Sequence, residues 1–168
     1  PREVVKLLND FLPLVVQAAQ KNGGMVNKFG GDSTLIIFGA PYEVQDNAYK
    51  AVLTALEIRT AVRKLNVNLA ERGETFRVGV GINTGTALAG AVGPMERQEY
   101  TVVGNAVNLA ARIDGLNKQF PDHDILISPW TYESLGEHRA KFNLVSLGHV
   151  QIRGRNEPVE IWAVQGKV

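Results

Sequence analysis

The sequence predicts an α+β fold, and three observations carry that expectation. Two long stretches repeat apolar residues at helical spacing: Val4, Leu7, Leu8, Phe11, Leu14 and Val15 in the first, and Ala48, Ala51, Val52, Ala55, Leu56 and Ile58 in the second. Short apolar or alternating runs, bounded by Gly, Pro and Asn, read as strands. Helical and strand stretches are interleaved, and several strands follow one another through tight turns, so the helices pack on a mostly antiparallel sheet.

The elements follow in order. A helix runs to about Lys21. Strands near Met25 to Phe29 and Asp32 to Phe38 are joined by Gly30-Gly31, where glycine supplies positive φ. A long helix spans about Val44 to Leu65. Strands near Phe76 to Thr84 and Thr86 to Val92 lead to a turn at Gly93 to Arg97. A short strand, Tyr100 to Val103, passes through a Gly-Asn turn into a helix from Asn105 to about Leu116. Ile125 to Ser128 is a strand. Ser128-Pro129 then caps a short helix, with Pro at its first position. The tail from Phe142 to Val164 alternates as strands.

At 168 residues the chain is read as one domain, 1–168, long enough for a substantial core. A net charge of +1 gives no field that argues for nucleic acid or an anionic membrane. With no cysteine, a disulfide framework and a thiolate metal site are excluded. No apolar run approaches a membrane span and no signal-peptide pattern is present, which fits a cytoplasmic setting without direct membrane contact. His123, His138 and His149 sit in loop-like or polar stretches and are read as surface residues.

Two places carry chemistry. Asn108 and Arg112 lie four residues apart, hence on one helix face just after a turn. That pair suits a phosphate or ribose; taken alone, it is more commonly a surface Asn and an Arg paired with a local carboxylate such as Asp114 or Glu99. Lys28 and Asp32 flank the Gly-Gly turn. A carboxylate there is a plausible ligand for a hard cation such as Mg²⁺, and also an ordinary hairpin residue.

Together with Val78-Gly79-Val80-Gly81-Ile82-Asn83-Thr84-Gly85, Ala89-Gly90-Ala91-Val92-Gly93 and Gly148-His149-Val150-Gln151-Ile152-Arg153-Gly154-Arg155, these segments resemble, in fixed order, the class III nucleotidyl cyclase catalytic domain. The resemblance runs from about Pro1 to Lys167. It implies a ferredoxin-like βαββαβ core with a C-terminal extension. The implied reaction is adenylate cyclase: ATP to 3′,5′-cyclic AMP and pyrophosphate in signalling, with two Mg²⁺ or Mn²⁺ ions per site. It also implies a homodimer with shared active sites. By resemblance Asp32 is a metal aspartate, and Lys28 and Thr101 read the purine, with Thr as in one bacterial subclass. Asn108 orients the ribose, Arg112 stabilises the transition state, and Arg153 stands where a triphosphate-binding Lys is usual. Family guanylate cyclases carry Glu and usually Cys at the two purine-reading places.

One departure is plain. The family's opening strand, with its Phe-x-Asp-(Ile/Val)-x-Gly-Phe-(Thr/Ser) pattern and first metal aspartate, is missing, so the domain is expected to be N-terminally incomplete. Asp10 is no substitute, because it lies in a helical pattern. The rival is a catalytically inactive cyclase-like module that dimerises or binds nucleotide and regulates a partner. RNA binding would need exposed rings on the central strands, and Phe76 to Thr84 offers Gly and Val instead. A diguanylate cyclase turn would need Glu and Phe after Gly30-Gly31-Asp32, where Ser33 and Thr34 stand.

Overall fold

The computed structural model of the chain describes residues 2–30 and 32–168, with the backbone alone for residues 28–30. Pro1 and Gly31, and with Gly31 part of the expected Gly-Gly turn, lie outside the described residues. The elements are α1 (Arg2–Lys21), β1 (Met25–Gly30), β2 (Ser33–Ile37), α2 (Asn47–Ala70), β3 (Val80–Ile82), β4 (Leu88–Val92), β5 (Glu99–Val103), α3 (Asn105–Gly115), β6 (Ile125–Ile127), α4 (Pro129–Leu135), β7 (Phe142–Val150) and β8 (Val159–Lys167). The fold is α+β, as expected. The strands form a four-stranded sheet ordered β3-β6-β8-β7 and two antiparallel pairs, β1-β2 and β4-β5. Within the larger sheet β3 and β6 run parallel, while β8 is antiparallel to both of its neighbours.

Strand alternation decides which helix meets which face. Ile125 and Ile127 of β6 pack with Val52, Ala55 and Leu56 of α2. Leu126, between them, packs with Leu109 and Ile113 of α3. β8 alternates too: Ile161 and Ala163 face α3, and Val164 faces α2. Helices therefore cover both faces of the four-stranded sheet. Each fully buried Ile or Leu in these layers contributes about 1.5–3 kcal/mol. α1 sits outside α2, joined through Phe11, Val15 and Ala18 against Ile58 and Val62.

The run Val78-Gly79-Val80-Gly81-Ile82 obeys the same rule. Val80 and Ile82 pack toward α2. Gly79 and Gly81 face α3, and their lack of side chains lets the helix close on the strand. A Cβ at Gly81 would stand 2.7 Å from the Ala110 carbonyl oxygen and 2.7 Å from the Asp114 Cα. Ser128 caps α4 as read, accepting from the Thr131 amide at 3.1 Å, with Pro129 opening the helix.

Four expectations are corrected. The strand at Phe76 to Thr84 shrinks to Val80–Ile82, because its partner β6 is only three residues long and its other edge faces β2 across a cleft of about 230 Å³. The long helix is displaced along the chain, Asn47–Ala70 for Val44 to Leu65. Asp46 adopts a left-handed φ of 55° that stops the helix upstream. Downstream, Asn66 stays helical and uses its side chain to hold both backbone groups of Phe76 at 2.7 Å. Val4 is 59% exposed, because α1 reaches the core only from Phe11 onward. His138 is no free surface residue: its ring stacks on Tyr49 at 4.2 Å and its Nε2 lies 3.5 Å from Asp46 Oδ1. No helix among the described residues is long and apolar enough to cross a membrane.

Candidate active site

α3 carries the centre of the site. Its buried side, Leu109 and Ile113, is fixed against the sheet. Its start is fixed by Asn83, whose Nδ2 donates to the Ala106 carbonyl at 3.0 Å while its Oδ1 accepts from Ser128 Oγ at 2.7 Å. Asn108 and Arg112 consequently point to the outer side, and both are exposed. Among the described residues neither side chain has a hydrogen-bond or ionic partner; the pairing of Arg112 with Asp114 or Glu99 does not form. An unpaired guanidinium beside an unpaired amide is available to an anion.

A second element brings more positive charge to the same place. Ile152 is 2% exposed and packs with Leu109 and Ile113, which pins the turn after β7 onto α3. The turn is closed by the Arg155 amide donating to the Ile152 carbonyl at 3.1 Å, and Gln151 Nε2 donates to the Arg155 carbonyl at 2.8 Å. Arg155 lies over the Trp130 ring at 4.7 Å. Arg153 is exposed at this turn, and the next residue, Gly154, touches the Arg112 guanidinium. The backbone turn that carries Arg153 thus lies against the Arg112 guanidinium.

The third group is set by a tether between hairpins. Asn27 Nδ2 donates to the Tyr100 carbonyl at 2.8 Å. This joins β1 to β5 one residue before Lys28 and one residue before Thr101. Thr101 is half-buried in β5, opposite Gly90. Lys28 lies in β1, and its side chain is outside the described residues. Asp32 is exposed in the turn between β1 and β2.

Asp114, one turn of α3 beyond Ala110, was named in the sequence only as a candidate partner of Arg112. Burial pushes its carboxyl above the usual carboxylate range, and the charge of Asp32 pushes it the same way, against a hydrogen bond from Asn117 that lowers it. Asp32 and Asp114 therefore share one field. No group of three or more ligating side chains forms among the described residues. Asn27 and Asn83 were likewise missed; each is an ordinary Asn in sequence, and only long-range contacts reveal its work.

Comparison with known proteins adds the family. A family described as the adenylate and guanylate cyclase catalytic domain matches residues 1–166. An uncharacterized protein of Mycobacterium tuberculosis is 37% identical over 161 residues, which cover 96% of this chain and 28% of that one. A second from the same organism is 36% identical over 160 residues, covering 95% and 26%. The chain thus spans little more than a quarter of the length of these relatives. Among solved structures, the guanylyl cyclase Cya2 matches with a TM-score of 0.84 at 34% identity, covering all of this chain and 83% of that one. The adenylyl cyclase CyaB from P. aeruginosa matches with a TM-score of 0.83 at 29% identity, covering 98% and 83%.

Proposed function

Because the chain belongs to the adenylate and guanylate cyclase catalytic domain family, we propose that it is an adenylate cyclase domain that converts ATP to 3′,5′-cyclic AMP and pyrophosphate. One observation carries the reading: Arg112, free of any acidic partner among the described residues, stands a turn after Asn108 on the same helix, against the turn that carries Arg153. Cyclisation forms a bond from the ribose 3′-oxygen to the α-phosphorus and breaks the bond to pyrophosphate. Such phosphoryl transfer asks for positioning and for cancellation of negative charge. In this reading Arg153 binds the triphosphate. Asn108 holds the ribose so that its 3′-oxygen lies in line, and Arg112 meets the charge that develops on the α-phosphoryl group.

Lys28 donates to the adenine N1, and the Thr101 hydroxyl accepts from the exocyclic amine. The tether from Asn27 to Tyr100 supports their working as a pair. Guanine presents the reversed edge, so this pair favours ATP.

The residues fit a divalent cation in part. Asp32 is an exposed carboxylate of the kind Mg²⁺ or Mn²⁺ takes, and it would hold one ion; a second ion needs a carboxylate beyond it. When bound, such ions supply charge neutralisation at the phosphates and activation of the attacking oxygen.

Asp32 and Lys28 flank one tight turn, yet metal and base lie on the order of 10 Å apart along a nucleotide, so a composite site built by two copies serves both. The β4–β5 ribbon supports a self-partner: Leu88, Val92, Met95 and Val103 are 76%, 62%, 91% and 52% exposed. Isolated apolar residues are common on surfaces; four on one ribbon mark a contact face. In this reading the domain works in the cytoplasm, where ATP is available. The test is product formation: a purified protein with Mn²⁺ or Mg²⁺ releases cyclic AMP and pyrophosphate in equal amounts from ATP. Nucleotide binding without product would leave the inactive regulatory module instead.

A further inference from the structure

We infer that Gly154 is a positioning residue for Arg112, its bare Cα being the surface on which the guanidinium is seated. The inference rests on the role proposed for Arg112. A Cβ at position 154 would stand 2.5 Å from Arg112 Nη1, 3.2 Å from Cζ and 3.4 Å from Nη2. The first of these is closer than two such heavy atoms approach without a hydrogen bond. Something must therefore move if any side chain is placed there.

What moves is decided by the surroundings. The turn cannot retreat, because Ile152 is buried against α3 and the Arg155 amide closes on the Ile152 carbonyl. The helix cannot retreat either, because Leu109 and Ile113 are buried in the same layer. The guanidinium is the free end of a long, exposed side chain, so it gives way. Its displacement costs little in folding. At a reacting phosphoryl group it costs much, since a misplacement of about 1 Å can lower a rate on the order of 10²-fold.

Position 154 also has φ +86°, where any L side chain is strained. Gly148, in β7 just before that turn, supplies the control. Its φ is +82° and a Cβ there would meet nothing within 4 Å. Gly148→Ala carries the backbone strain without the contact.

The experiment measures kcat and KM in the natural full-length protein for Gly154→Ala, Gly148→Ala, Arg112→Ala and the Gly154→Ala/Arg112→Ala double variant. The Nε resonance of Arg112 is followed by NMR in the two glycine variants. Gly154→Ala is expected to lower kcat about 10- to 10²-fold with little change in KM. Gly148→Ala keeps kcat. In the Arg112→Ala background Gly154→Ala has no further effect, because the two changes act through one group. The Arg112 resonance moves in Gly154→Ala and not in Gly148→Ala. A full additional loss in the double variant, or an Arg112 resonance unmoved in Gly154→Ala, overturns the inference. If the wild-type protein makes no cyclic nucleotide, the cyclase reading fails, and the resonance still decides whether Gly154 seats Arg112.

Discussion

Asn27 donates from its side chain to the carbonyl of Tyr100 at 2.8 Å, across 73 residues of sequence. The bond joins the β1–β2 hairpin to the β4–β5 ribbon, and Lys28 and Thr101 are the residues that follow its two ends in the chain.

The purine choice proposed for Lys28 and Thr101 is tested by nucleotide preference. The wild-type protein should use ATP well and GTP poorly. Thr reads the exocyclic amine through one hydroxyl, so GTP turnover should be low and measurable. Changing Lys28→Glu together with Thr101→Cys should reverse the order. Asn27→Ala should blur it, lowering the ATP-to-GTP ratio of kcat/KM without abolishing activity. The ratio measured with both nucleotides checks this; equal use of ATP and GTP by the wild type contradicts it.

Arg112 and Arg153 should separate kinetically. Arg112→Ala should lower kcat about 10²–10³-fold and change KM much less, as expected for a donor that meets charge present mainly in the transition state. Arg153→Ala should chiefly raise KM. A wild-type kcat in Arg112→Ala would make Arg112 a ground-state clamp.

Asp114 gives a pH signature in the metal-free protein. Burial, joined by the charge of Asp32, raises its proton affinity in the folded state. A raised carboxyl pKa means that the folded protein binds the proton more tightly than the unfolded chain. Stability is therefore lost as pH rises from the ordinary carboxylate range, near about 4, through the raised value, and the cost persists above it. Asp114→Asn should raise Tm at pH 7, and the gain should vanish at low pH, where Asp114 is protonated in both states. Thermal melts at a series of pH values decide; a gain constant with pH would contradict the assignment.

Gly81→Ala should destabilise the fold by about 1–3 kcal/mol or more, because the Cβ meets the α3 backbone at Ala110 and Asp114, which cannot rotate away. Urea unfolding checks this. A variant as stable as wild type would mean that α3 is free to lift from β3.

The sequence made the buried positions of the two long helices legible from Phe11 to Ile58, because apolar residues recur there at helical spacing. It made the α3 helix and the shared exposed face of Asn108 and Arg112 legible, because a four-residue spacing after a turn needs no distant partner to be recognised. Three features were not legible. The length of β3 depends on β6, which lies more than 40 residues away. The stacking of His138 on Tyr49 depends on the packing of the β7 approach against α2. The seating of Arg112 on Gly154 depends on a buried Ile152 that brings the turn after β7 to α3. Each is a contact between segments far apart in the chain, which local pattern does not encode.

The central claim is that Asp32 and Arg112 serve one cyclisation reaction from two copies of the chain. Asp32→Ala and Arg112→Ala proteins, each inactive in the natural full-length form, are mixed under conditions where subunit exchange is demonstrated, and cyclic AMP formation from ATP is measured. A heterodimer then holds one intact site, since the aspartate comes from one variant and the arginine from the other. Equal mixing with random exchange should restore about one quarter of the wild-type activity, because half the dimers are mixed and each has one of two sites working. No recovery in fully exchanged protein would contradict the shared site.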